Sequence, residues 1–351
     1  MEGLHIMRIR HDGGSARTRA LIALVAASVA LTTAGCDLRL EADTIVYPSP
    51  DAVTVARDTL ADAESAVLTA ADTAGASADD VAAEASATAQ AHLDALGGVY
   101  VAYPDTTPEP TASATPAPTL SEAIDEARAI AEEVAASNLD PGLAFLARSI
   151  DLDWALREQW ATIVPADTAD DADDSDNAGT SDTAGTSDET TYFPLANGST
   201  ADSAGFAPSA ATTGLSEDAL SDLALREDEA RFTYETIAAL EFDSLRDVAL
   251  ARARLHEERS DALASLLTSD PRTPLYQLRD ANLPDPDSRD ALQRSVETDL
   301  GARYAALLDG AYAADAAWLL NSAFDSYARA MATAGFEASD LPQLPGLKTA
   351  A

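Results

Sequence analysis

The sequence predicts an all-α protein, two four-helix bundles in tandem joined by a disordered acidic linker. Three observations predict it. Apolar residues recur at helical spacing and are bracketed by helix-capping residues, whereas sustained period-two alternation and hairpin dipeptides between apolar runs are nearly absent. Residues 165–213 are mostly Asp, Ser, Thr, Ala and Gly, and no Lys or Arg occurs from 158 to 225. Such a stretch cannot bury a core and should stay disordered. The segments on either side of it resemble one another.

The elements follow in order. Residues 1–35 read as a targeting segment: Arg8, Arg10, Arg17 and Arg19 form a basic start, and Ala20 to Ala34 is an almost uncharged run. About 15 apolar residues is short for a bilayer span. Thr33-Ala34-Gly35-Cys36 ends the run as a lipobox, and Cys36 is the only cysteine of the 351 residues. Cleavage before Cys36 would leave it N-terminal and diacylated, and two acyl chains anchor a protein stably. The expected address is the extracytoplasmic face of the cell membrane. With a single cysteine, no intrachain disulfide can form.

Residues 36–50 are a tether, 51–164 an N-terminal helical bundle, 165–213 the linker, 214–336 a C-terminal bundle and 337–351 an irregular tail. Eight helices are expected, at about 51–74, 78–98, 120–137, 141–163, 216–240, 243–269, 288–310 and 312–335. Thr119-Leu120-Ser121-Glu122 is a capping box. Asp140 followed by Pro141 fits an N-cap and first helical position. Ser77 with Asp80, and Asp287 with Asp290, are candidate caps for two more helices. Residues 104–118 carry five prolines, so a long connection separates the second and third helices of the first half.

The formal charge is −38; four arginines against Glu2 and Asp12 in the leader leave the mature chain near −40. A surface of that sign repels nucleic acid and anionic headgroups, so neither is expected as a partner.

The halves align as a repeat. His92 precedes His256 by 164 residues, and Leu60–Glu64 matches Leu225–Glu229 at an offset of 165. Phe145-Leu146 with Ser149 and Trp154 parallels Trp318-Leu319 with Ser322 and Tyr327. Two helical hairpins joined by a longer connection make the ferritin-like bundle topology. The run Ala224–Phe232, then Leu255–Leu263, Arg303–Leu308 and Leu341–Leu347, resembles a ferritin-like domain of unknown function found in actinobacterial lipoproteins, over roughly residues 214–347. The lipobox followed by Leu38-Arg39-Leu40-Glu41 is similar to such proteins as well. The resemblance implies a bundle fold and an envelope location, and no established activity.

A di-iron bundle takes a Glu from each of two helices and a Glu-x-x-His from each of the other two. Glu229, His256 and Glu297 lie on three expected helices, in step with apolar neighbours, and are the candidate metal ligands. Ala253 stands three residues before His256, so Glu-x-x-His is absent, and no histidine follows His256. In the first half Glu64 and His92 correspond, with Thr88, Ala89 and Trp154 supplying no carboxylate beside them. A full di-iron centre therefore cannot be built. The same residues read otherwise as a buried ion-pair and hydrogen-bond cluster around His256, because an unpaired core charge is costly. No cofactor is expected; iron or manganese at a reduced site is the alternative.

Other chemistries find little support. The chain has no phosphate-binding G-x-x-x-x-G-K-[ST], no G-x-S-x-G and no H-E-x-x-H. The Asp170–Asn177 run lacks the glycine and terminal glutamate of a calcium loop. Trp154, Trp160, Trp318, Tyr304, Tyr312 and Tyr327 are spaced as bundle core. The expected role is a non-catalytic binding or scaffold module in the envelope, with an unknown envelope protein or an apolar ligand as partner. An oxidase-type or metal-binding bundle is the alternative.

Overall fold

The computed structural model describes residues 49–74, 79–99, 118–137, 139–163, 208, 213–278 and 283–347. Cys36, the leader, Ser77 and nearly all of the acidic segment lie outside them. The described residues hold eight α-helices and no strand: α1 (Ala52–Ala74), α2 (Asp79–Leu96), α3 (Leu120–Ala136), α4 (Pro141–Ile163), α5 (Glu217–Ala238), α6 (Asp243–Ala264), α7 (Pro286–Ala306) and α8 (Ala313–Met331). None of them is long and apolar enough to cross a membrane.

Local signals account for several helix ends. Thr119 and Glu122 form the reciprocal capping box that starts α3. Asp140 Oδ1 accepts the Leu143 amide at 2.8 Å, ahead of Pro141. The start of α7 differs from expectation: its cap is Asp285, with Pro286 just inside, and not Asp287. Pro lacks the amide that a first-turn position leaves unbonded, so the helix begins on it. The helix ends earlier than expected as well, because Leu307–Gly310 turn back and Gly310 takes a left-handed φ of +73°.

The helices pack in two groups, α1–α4 and α5–α8, with one order of neighbours. The first helix packs on the second and the third, and the third on the fourth. On α1 the buried residues Leu60, Ala61, Ala63, Glu64, Val67, Ala70 and Ala71 fall within one half of the helix surface, as a single buried face requires. Matching burial aligns Leu60, Ala61 and Glu64 with Leu223, Ala224 and Glu227, an offset of 163 rather than the expected 165.

In the second group, α5 and α7 run antiparallel. Tyr304 donates to Glu227 while Tyr234 donates to Glu297, each tyrosine lying seven residues after the carboxylate on its own helix. Seven residues span about 10 Å of helix, so the two pairs can close together only if the axes oppose. The connection between α6 and α7 must then cross the length of the group.

The two groups meet along α4, which buries two faces. Leu143, Ala147, Ile150 and Trp154 join the first core. Phe145, Leu152, Ala155 and Leu156 join the second, with Trp318, Leu319 and Phe324 of α8. Two-sided burial leaves every α4 residue from Leu143 to Trp160 buried or half-buried. Of the expected core aromatics, Trp154, Trp318, Tyr304 and Tyr327 are buried, while Trp160 is partly buried and Tyr312 is 67% exposed.

Candidate functional site: a buried histidine between two carboxylates in each group

In the second group α6 presents Arg252, His256 and Arg259, spaced four and three residues apart and so on one face. Glu227 comes to this face from α5, Glu297 from α7 and Asp325 from α8. His256 is fully buried; its Nδ1 lies 2.5 Å from Glu227 Oε2 and its Nε2 lies 3.3 Å from Glu297 Oε1. Arg252 grips Glu297 with two prongs, Nε to Oε1 at 2.6 Å and Nη2 to Oε2 at 2.7 Å, and reaches Asp325 with Nη1 at 2.6 Å. Arg259 Nη2 donates to the same Asp325 oxygen at 2.7 Å. The Tyr234 ring stacks on the His256 ring at 5.4 Å.

Three carboxylates thus face two guanidiniums and one imidazole. Burial works against an imidazolium at His256, but the Glu227 and Glu297 charges outweigh it and raise the pKa above 6.5. Burial pushes Glu297 upward too, yet Arg252 and His256 hold it well below the ordinary carboxylate value. Glu227 is lowered against its burial by His256 and Arg259, and Asp325 by Arg252 and Arg259. The Tyr304 and Tyr234 phenols are raised, by burial first and then by the carboxylate each one bonds, so both stay protonated donors. With His256 protonated the cluster is neutral, the condition under which several charges can leave water together.

The first group repeats the motif with a different third member. His92 is fully buried, with Nδ1 3.1 Å from Glu64 Oε2 on α1 and Nε2 3.1 Å from Asp153 Oδ2 on α4. Burial lowers the His92 pKa, and the hydrogen bond to Asp153 together with the Glu64 charge more than restores it. Trp154 Nε1 donates to Glu64 Oε1 at 3.0 Å, and its ring meets the His92 ring edge-on. Arg157 Nε donates to Asp153 Oδ1 at 2.8 Å. The second carboxylate therefore comes from the fourth helix here and from the third helix in the second group. Thr88 stands four residues before His92, where the second group has Arg252.

Of the expected site residues, His256 and Glu297 meet and Glu229 does not join them. Glu229 lies two positions beyond Glu227, which is about 200° around a helix. It is 29% exposed and pairs with Arg226 Nη1 at 2.7 Å beside a surface cleft. The sequence does not separate Glu227 from Glu229, because both neighbour apolar residues. Asp153 does not stand out in the sequence because its neighbour Trp154 carries the apolar spacing of bundle core. A signal for it existed: Arg157 follows Asp153 by four residues, the spacing of a helical ion pair.

Both oxygens of Glu297 are taken by Arg252, and both ring nitrogens of each histidine face a carboxylate. Among the described residues no group of three or more His, Cys, Asp or Glu side chains is placed to hold one. Comparison with protein-family models, with curated proteins and with solved structures gave no match.

Proposed function

We propose that the chain is a lipid-anchored protein of the cell envelope, held by diacylated Cys36 on the extracytoplasmic face. Its two helix groups are, in this reading, duplicated ferritin-like bundles that act as a non-catalytic binding or scaffold module for an envelope protein or apolar ligand. The observation that carries it is Arg252, whose guanidinium lies across Glu297 in the centre of the second group. Bundles that host metal chemistry gather carboxylates and imidazoles around an ion and leave a position open. This core gathers the same residue types around its own arginines, with Arg252 on both oxygens of Glu297. The opposed α5 and α7, with a crossing connection between α6 and α7, agree with ferritin-like topology.

The test is metal analysis of the purified chain after exposure to iron or manganese under reducing conditions. Substoichiometric metal is expected, unchanged in His256→Ala. Stoichiometric metal that disappears in a folded His256→Ala variant would sink the non-catalytic reading. The anchor has a separate test: Cys36→Ala should move the protein out of the membrane fraction. The acidic segment 165–213, read as a disordered linker, should be cut by protease before either helix group.

A further inference from the structure

We propose that the C-terminal segment Leu341–Leu347 is a clasp that fastens the second helix group onto α4 and opens without unfolding either group. After α8 the chain makes a short 3-10 turn at Ala338–Asp340 and then runs against α4. Its contacts alternate between the groups. Leu344 packs against the first core. Its amide donates to Asp153 Oδ2 at 2.8 Å, and Ser149 Oγ, one turn earlier on α4, donates to Pro345 O at 2.6 Å. In the other direction Leu341 is buried in the second core and Leu347 packs against it. Gly346 lies so close to α7 that a Cβ built on it would sit 2.4 Å from the Ala305 carbonyl oxygen.

Two backbone positions make the segment dependent on its seat. Leu344 holds φ +48° and Gly346 holds φ +90°. The left-handed region is unfavourable for a leucine and persists where surrounding contacts enforce it. Released from α4, Leu344 would relax and the seat would be lost. Segments held by few contacts open at lower cost than the cores they join.

The seat also ties the clasp to the first ion cluster. Asp153 Oδ2 lies 3.1 Å from His92 Nε2 and accepts the Leu344 amide at the same time. One carboxylate oxygen thus links the buried histidine of the first group to the segment that follows α8. This coupling rests on the geometry alone and does not depend on the proposed function.

Hydrogen exchange on the full chain tests it, with Gly346→Ala as the main variant because it leaves α4 and the ion cluster untouched. Exchange in residues 341–347, and along the facing α4 and α8 surfaces, should become about tenfold faster or more, while α1 and α6 keep their protection. Asp153→Ala should free the same segment. Should Asp153→Ala fail to fold, Ser149→Ala, which removes one clasp bond, takes its place. Unchanged exchange at α4 and α8 despite a freed segment would overturn the clasp. Loss of protection in α1 and α6 together with the segment would overturn it too, since opening would then be unfolding.

Discussion

Arg252 and Glu297 are locked together by two parallel hydrogen bonds, at 2.6 and 2.7 Å, with Glu297 wholly out of water. A charge pair placed there is stabilising only relative to a broken pair. Removing one partner strands the other, at a cost of about 3–5 kcal/mol, whereas replacing both by apolar residues of similar size is often neutral. Arg252→Met should therefore destabilise the second group by about 3–5 kcal/mol in urea unfolding. Glu297→Leu combined with Arg252→Met should cost less than the sum of the two single changes, because neither leaves its partner alone. Additive losses would show that the two residues act independently.

Glu227 and Glu229 should separate cleanly. Glu227→Ala removes the partner of His256 and of Tyr304, so a loss of about 3–5 kcal/mol is expected. Glu229→Ala removes a partly exposed pair with Arg226 and should change stability by no more than about 0.5 kcal/mol. Thermal unfolding of both variants checks the assignment, and an equal effect would contradict the two faces described for α5.

Stability should peak in mildly acidic solution. His92 and His256 have folded-state values raised above 6.5, so the folded chain holds protons that the unfolded chain releases. Their contribution is complete below about pH 6.5 and is lost as pH rises through the folded values. Glu227 and Glu297 are lowered from 4.5, and their contribution is lost as pH falls below that value. Denaturant unfolding across pH should show stability declining from about 6.5 upward, and a His92→Gln, His256→Gln double variant should flatten that alkaline limb. A rise in stability above pH 6.5 would contradict the raised values.

Gly301 marks where α7 approaches α8. A Cβ there would lie 2.9 Å from the buried Tyr327 ring. Gly301→Ala gains helix propensity but forces that ring to move, and overpacking of this kind costs about 1–3 kcal/mol. A net loss in thermal stability is expected, and a gain would mean that the ring shifts freely.

The eight helices and several of their ends are legible along the chain, because caps and apolar period act within a few residues. Thr119 with Glu122, and Asp140 with Pro141, stop or start a helix wherever that helix later packs. The sequence also singles out His92 and His256, since a lone histidine on an apolar stripe must find a partner when buried. Tertiary structure alone decided which partners they find. Glu227 and Glu229 differ by two positions, and the rotation of α5 against α6 selects between them. Asp153 and Glu297 come from different helices of their groups, and only the axial register of those helices brings either to a histidine. The same register places Leu344 on Asp153, nearly two hundred residues along the chain, a contact to which no local signal points. Local propensity sets what a segment becomes, while the pairing of charges across helices follows from how the finished helices fit.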